Sequence, residues 1–232
     1  MNFNDKKVRI VAISDTHGKH PQLGKLPDGD ILIHAGDFSL GGNFVDCVNF
    51  FDWFAAQPHK HKIVIAGNHD VFMETANSSD VASIVRSDVV YLNDSGYEAE
   101  GIKFWGSPVQ PRFYDWAFNR DRGEDIQRHW DLVPEGTDVL ITHGPAKFRQ
   151  DETFDIADSE RIVNVGCENL AQTIKKINPI LHICGHVHRG RGHCFNTRTT
   201  FVNASVCNEN YDAVNKPYVI DIVGKAVSFI TY

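Results

Sequence analysis

The folding of this chain is most constrained by a series of short apolar runs, rich in valine and isoleucine, that recur along its length. They are VRIVAIS (8–14), DILIHAG (30–36), KIVIAG (62–67), VVYLN (89–93), GIKFWGS (101–107), DVLITHG (138–144), LHICGH (181–186), TFVNAS (200–205), YVIDIV (218–223) and AVSFITY (226–232). Most show no alternation of apolar and polar residues, the mark of strands covered on both faces. Helical patterns lie between several of them, at 44–57, 122–133 and 167–177. The last sets Leu170, Ala171, Ile174 and Ile177 on one stripe, with Lys175 and Lys176 near the end where the helix dipole favours cations. Helices alternate with strands in the first half and strands crowd the last third. The expectation is an α/β fold with mixed sheets covered by helices. No repeat, low-complexity tract or linker breaks the pattern, so residues 1–232 are expected to form a single domain. The longest irregular stretch, SPVQPRFYDWAFNRDRG (107–123), has the length of a functional loop.

Five of the runs end alike. IVAIS leads into Asp15-Thr16-His17, ILIHAG into Asp37, and IVIAG into Asn68-His69-Asp70; VLIT leads into His143, and LHIC into Gly185-His186-Val187-His188. Side chains just beyond the carboxyl ends of strands in such sheets meet in one crevice, where sites are built. Each motif alone reads as a turn, because Gly, Asn and Asp are turn formers. The stretch CGHVHRGRGH (184–193) alone reads as a solvated basic loop. Five polar strand ends together point to a site. Gly36, Gly67, Gly144 and Gly185 stand beside four of them, as expected where backbone passes close to a ligand.

The donors are the carboxylates of Asp15 and Asp37, the amide of Asn68 and the imidazoles of His17, His143, His186 and His188, with no thiolate. Mixed nitrogen and oxygen ligands suit Mn, Fe, Co or Zn, whereas Ca or Mg would want nearly all oxygen. Seven ligands exceed one tetrahedral ion and suit two divalent ions sharing a carboxylate, as in dinuclear sites. Two such ions against two carboxylates leave a positive cluster in a chain whose net charge is -7. That overall charge, from 23 Lys and Arg against 30 Asp and Glu, argues against a stable nucleic-acid partner, which a basic stripe would mark. A small anion held locally remains compatible with it.

The ordered set of Asp15 and His17, Asp37, Asn68-His69-Asp70, His143, and His186 and His188 closely resembles the calcineurin-like metallophosphoesterases. The stretches at 107–123, LITHGPA and FVNASVC resemble the metallophosphoesterase-domain-containing subgroup. The resemblance implies a four-layer α-β-β-α sandwich of two mixed β-sheets flanked by helices. It assigns Asp15, His17 and His188 to one metal ion, Asn68, His143 and His186 to a second, and Asp37 to a bridge between them. It implies a cofactor of two divalent ions, with Mn or Fe favoured over Co and Zn. Some relatives carry Gly at the position of His186, and this chain keeps the histidine. The activity implied is hydrolysis of small organic phosphodiesters, cyclic nucleotides among them, by metal-bound hydroxide. The alternatives are a monoesterase or phosphoprotein phosphatase, a nuclease, or a nucleotide-binding protein with a vestigial site. By the same resemblance His69 contacts the phosphate or protonates the leaving group, and Asp70 would hold its imidazole in one tautomer.

The remaining candidates read as structural. His34 and His182 lie within apolar runs, as core or supporting histidines. His59 and His61 read as a solvated loop, and so does His193. Trp105, Phe113, Tyr114, Trp116 and Phe118 read mostly as core, with one ring free to stack on a base. Arg120 and Arg122 are candidates for substrate contact, as are Arg189 and Arg191 if they are not simply solvated. Asn203 is a candidate support for the site. Five scattered cysteines without a CxxC pair suit reduced thiols. With no secretory segment at the start and no membrane-length apolar run, a cytoplasmic protein without a membrane partner is expected.

Overall fold

Strands whose two faces are both apolar must be covered on both sides, and the chain does this with two sheets stacked between layers of helix. The structure, a computed structural model, describes residues 6–158 and 160–230. Its first half runs β1 (Lys7–Ile13), β2 (Ile31–Ala35), α1 (Phe44–Ala55), β3 (His61–Ile65), α2 (Val71–Thr75), α3 (Ser78–Ile84), β4 (Val90–Tyr91), β5 (Ser95–Ala99) and β6 (Ile102–Ser107). It continues through β7 (Gln110–Pro111), β8 (Asn119–Arg120), α4 (Glu124–Trp130), β9 (Val139–Thr142), β10 (Glu152–Phe154), β11 (Ile162–Asn164) and α5 (Glu168–Ile177). Then follow β12 (Leu181–Cys184), β13 (Gly192–Phe195), β14 (Thr200–Asn203), β15 (Tyr218–Val223) and β16 (Ala226–Ile230). One six-stranded sheet has the order β16-β15-β1-β2-β3-β4 and the other β13-β14-β12-β9-β6-β5. Both are mixed: β1, β2, β3 and β4 run parallel, as do β6, β9, β12 and β14, with antiparallel strands at the margins.

Successive residues of one strand serve different cores. In β1, Ile10 and Ala12 face the other sheet, packed with Phe104, Val139, Ile141 and Ile183. Val11 and Ile13 face outward onto α1, whose Phe50, Phe51 and Phe54 are fully buried. On the far sheet, Leu140 and Phe201 face Ile126 and Trp130 of α4 and Leu170 and Ile174 of α5. Three cores between four layers explain why no alternation shows in the sequence. Asn43 caps α1 by accepting from the Asp46 N–H, and Asn178 in the left-handed region ends α5. Among the described residues no helix is long and apolar enough to cross a membrane.

Several sequence readings are corrected. The helices at 71–75 and 78–84 are too short to show a period, β5, β10 and β13 lack apolar runs, and β11 is only three residues long. His59 is buried, its Nε2 3.0 Å from the Pro27 carbonyl, and His61 opens β3 with Nδ1 3.1 Å from the Tyr97 hydroxyl, so neither belongs to a solvated loop. His193 is on strand β13, its ring 4.1 Å from that of Phe229. Of the five aromatics read as core, only Phe118 is buried; Tyr114 and Trp116 are exposed, and Trp105 and Phe113 are half-buried. The last two residues of the run 226–232 lie outside the described residues.

Candidate metal centre

The strands that run parallel all point their carboxyl ends at one edge of the sandwich, so the five polar strand ends meet there. The loops interlock through backbone: the Asp15 N–H donates to the Gly36 carbonyl, His17 N–H to the Asp37 carbonyl, Gly185 N–H to the His143 carbonyl and Ser14 N–H to the Ala204 carbonyl. This last bond ties the two sheets together beside the site. Four of the seven expected ligands stand at positive φ: Asp15 at 54°, His17 at 44°, Asp37 at 54° and His186 at 66°. Such backbone is strained for residues with a Cβ, and strain of this kind clusters where side chains must be aimed.

Two groups form around one shared carboxylate. Asp15, His17 and His188 offer ligand atoms within 4.8 Å of one another, and so do Asp37, His143 and His186. The Asp37 Oδ2 lies 3.3 Å from His143 Nε2 and 3.8 Å from His17 Nε2, between the two groups. Asn68 joins the second group, its Oδ1 3.0 Å from His143 Nε2 and 2.8 Å from His186 Nδ1. In the first, His17 Nε2 is 3.1 Å from His188 Nε2, and His188 Nε2 is 3.5 Å from Asp15 Oδ1.

These distances test whether the residues suit cations. His143 Nδ1 lies 2.9 Å from the Ala35 carbonyl and His188 Nδ1 2.8 Å from the Asn208 carbonyl, so each Nδ1 carries the proton. In the neutral rings the Nε2 lone pairs then point into the cluster, that of His143 at Asn68 Oδ1 and Asp37 Oδ2 and that of His188 at Asp15 Oδ1. A cation among these oxygens and nitrogens would turn facing lone pairs into ligands, so the donors fit divalent ions. The charges are correspondingly perturbed. Burial opposes ionisation of Asp37, but the charge and hydrogen bond of His143, then His17, hold its carboxyl far below the usual range. Asp15 is held low against burial by His188. Burial disfavours the His143 cation, yet the neighbouring Asp37 carboxylate lifts its pKa to about 9, and Asp15 raises that of His188. Burial lowers His17 to about 4 and His186 to about 3.

His69 sits at the rim. Its backbone N–H donates to Asp37 Oδ1 at 2.8 Å, and one ring nitrogen lies within the group of His17 and Asp37. Its Nδ1 is 2.8 Å from the Leu40 carbonyl, so that carbonyl fixes the tautomer. This corrects the expectation for Asp70, whose carboxylate accepts from Ser39 N–H at 2.9 Å, Ser39 Oγ at 2.6 Å, Gly67 N–H at 2.8 Å and Phe38 N–H at 3.3 Å. Asp70 organises the loops under the site, and burial together with the charge of Asp37 raises it to about 7 despite these donors.

His34 and His182 prove to be matched supports: His34 Nε2 is 3.0 Å from Thr16 Oγ1 and His182 Nε2 2.8 Å from Thr142 Oγ1, each hydroxyl beside a ligand. Asn203 also supports the site: its Oδ1 accepts from the Ser205 N–H at 3.1 Å, and the Ser205 hydroxyl donates to Asp15 Oδ2 at 2.7 Å. A cavity of about 500 Å³ opens over the cluster, lined by His17, His69, His186 and His188 and by residues of the β10–β11 hairpin. Arg122 and Arg189 line it, whereas Arg120 turns away to Glu74 and His129, and Arg191 stacks on Tyr218, 4.5 Å from its ring. Sequence reasoning missed Tyr211, whose ring centre is 4.7 Å from that of His17 and 5.2 Å from that of His188, and missed Arg112 and the hairpin. Tyr211 follows the end of β14 at the same edge, a sixth strand end whose first residues offer no imidazole or carboxylate. Trp116 lies tilted over His69, ring centres 4.2 Å apart, and Phe113 meets His186 edge-on at 5.3 Å.

The fold and the two ligand groups together define an α/β-sandwich metallophosphoesterase. Residues 8–190 match the model of the calcineurin-like phosphoesterases, and the chain belongs to that family. It is 39% identical over 237 residues to Metallophosphoesterase domain-containing protein 1 of Homo sapiens, covering 92% of this chain and 71% of that protein. Its fold is similar to that of the protein TT1561 of Thermus thermophilus, with a TM-score of 0.62 at 14% identity over 97% of this chain and 98% of that one. It is similar in fold, with a TM-score of 0.50 and 15% identity over 96% of this chain and 98% of the other, to a protein described as a novel archaeal phosphodiesterase. The family is one of metal-dependent phosphoester hydrolases, and this chain carries clustered His and Asp side chains suited to divalent ions.

Proposed function

We propose that the chain hydrolyses small organic phosphodiesters at a dinuclear metal site. The observation that carries this reading is a pair of adjacent groups of ligand atoms, Asp15, His17 and His188 beside Asp37, His143 and His186, with Asp37 Oδ2 3.3 Å from His143 Nε2 and 3.8 Å from His17 Nε2. Asp15, His17 and His188 would hold one divalent ion, Asn68, His143 and His186 the other, with Asp37 common to both. When bound, such ions supply Lewis acidity, neutralising phosphoryl oxygens and acidifying a water. The chain supplies the rest. With Nδ1–H tied to the Leu40 carbonyl, His69 can hold or pass a proton only through Nε2, which suits protonation of a departing alkoxide or a hydrogen bond to phosphate. Trp116 covers one face of that ring and restricts its rotation. Ser205 and the His186 N–H, 2.9 Å from Asp15 Oδ1, orient Asp15 so that its lone pairs stay aimed inward.

The test is hydrolysis of bis(p-nitrophenyl) phosphate by chelator-stripped protein titrated with Mn²⁺. A rate that rises until about two ions are bound per chain, and that is lost in Asp37→Asn, is expected. Metal binding with turnover of p-nitrophenyl phosphate alone would transfer the reading to a monoesterase.

A further inference from the structure

We infer that the organic group of the ester is apolar, carries no charge beyond the phosphodiester's own, and rests against the β10–β11 hairpin; this builds on the phosphodiesterase reading above. The cavity lining is of two kinds. One is the polar cluster, where the phosphate must sit. The other is apolar: Phe154, Ile156, Val163 and Val165, in and beside the hairpin with Thr153 and Asp155 among them, and Phe113, whose ring is 5.3 Å from that of His186. Ile156 is 74% exposed and Phe154 38%, so neither side chain is committed to a core. Apolar side chains gathered in one part of a site, with polar groups in another, mark where the hydrophobic part of a ligand lies.

The charges disfavour a second anion. Three arginines line the cavity, and each is already engaged. Arg112 Nε is 2.8 Å from Asp121 Oδ1. Arg122 is held by Glu168 and donates to the carbonyls of Gly166 at 2.8 Å and Val165 at 2.6 Å. Arg189 lies 3.8 Å from Glu209 and 4.2 Å over the Phe154 ring, where it stiffens the apolar lining. Asp155 and Glu209 also line the cavity, and no lysine does among the described residues. A further phosphate or carboxylate on the substrate would have to break one of these pairs beside two carboxylates. The cavity therefore offers one strong anion site, at the histidines, and an uncharged apolar slot beside it.

The experiment uses metal-loaded protein and three p-nitrophenyl phosphodiesters whose second group is methyl, phenyl or 4-carboxyphenyl. The phenyl ester is expected to exceed the methyl ester in kcat/KM by about tenfold, in line with the gain for filling an apolar pocket, and the 4-carboxyphenyl ester to lose that gain. Ile156→Ser and Phe154→Ser should collapse the phenyl-to-methyl ratio toward one. A ratio near one in the unaltered protein, or a ratio that survives both substitutions, overturns the inference while the phosphodiesterase reading stands. Failure of all three esters to turn over would instead remove the reading on which it rests.

Discussion

Gly67→Ala tests the site through its packing instead of its chemistry. Gly67 needs no left-handed backbone, so the substitution acts only through space. A Cβ built there lies 2.3 Å from Asp37 Oδ1, 2.5 Å from Asp37 N and 2.6 Å from His143 Cε1. Ordinary contact would require a separation about 1 Å greater in each direction. Asp37 Oδ1 is buried and held by the His69 N–H, and the other two atoms belong to backbone and a buried ring, so the shared carboxylate or the β3 loop must move by a large part of that distance. Overpacking of this kind costs about 1–3 kcal/mol, which at this chain length lowers Tm by roughly 2–12 °C. Metal sites tolerate displacements of only about 0.2 Å, so affinity for Mn²⁺ should fall at least about 100-fold while the fold survives. Calorimetric titration of the stripped protein, with a circular dichroism melt on the same sample, reads both quantities. Gly144→Ala is the control, because its Cβ meets only Gln110 Cβ at 3.3 Å, and it should cost less than about 1 kcal/mol with little loss of affinity. Two ions bound to Gly67→Ala at unchanged affinity would refute the placement of Asp37 between the two groups.

Three further outcomes are expected. His69→Ala should keep its metal, measured by elemental analysis, and lose about two orders of magnitude or more in kcat; an unchanged kcat would remove His69 from the chemistry. Asp70→Asn at pH 8 turns an amide N–H₂ toward the donors of Ser39, Gly67 and Phe38, and should destabilise the fold by about 1–3 kcal/mol without shifting the pH profile of kcat. A shifted profile would show that Asp70 acts on His69 after all. Burial lowers both His34 and His182 to about 3, below the ordinary value of 6.5, so the folded chain excludes protons that the unfolded chain takes up. Their contribution is complete above about pH 6.5 and drains away as pH falls toward 3, at about 1.4 kcal/mol per pH unit for each group. In urea unfolding of chelated protein, His182→Gln should flatten the acid limb by one such slope, and an unchanged limb would contradict the burial argument.

That the strands are covered on both faces was legible because such burial removes the alternation of apolar and polar residues; that they form two stacked sheets was implied only by the resemblance to a known family. The site was legible for a related reason. A strand that ends at the edge of a parallel sheet delivers its next two or three residues to a common place, so Asp15, Asp37, Asn68, His143 and His186 can be assembled without knowing the loops. The resemblance to a known family added which group each residue would join. What stayed hidden lies farther from strand ends. Tyr211 reaches the cluster at φ 64°, after a turn in which Asn208 Oδ1 accepts from the Asn210 and Asp212 N–H groups, and no periodicity records such a turn. The β10–β11 hairpin pairs only Glu152 with Asn164, Thr153 with Val163 and Phe154 with Ile162, too short a ladder for its pattern to rise above that of a loop.

Asp70 shows why adjacency in sequence misleads at such places. His69 and Asp70 are neighbours, but the chain turns into α2 at Asp70, and the two side chains leave the backbone in different directions. The imidazole goes to the cavity rim and the carboxylate goes under the loops, to collect donors from Phe38, Ser39 and Gly67. A carboxylate that gathers the N–H groups of two strand-end loops fixes Asp37 and Asn68 relative to each other, because each loop carries one of them. A carboxylate beside His69 would have tuned one proton; under the loops it sets the spacing of the shared ligand against the second group. The same logic recurs on the other sheet, where the Thr142 hydroxyl, accepting from His182 Nε2 and donating to the Gly144 carbonyl, holds the turn that carries His143. In both places buried polar groups fix loop geometry, which is what a site with four of its seven expected ligands at positive φ requires.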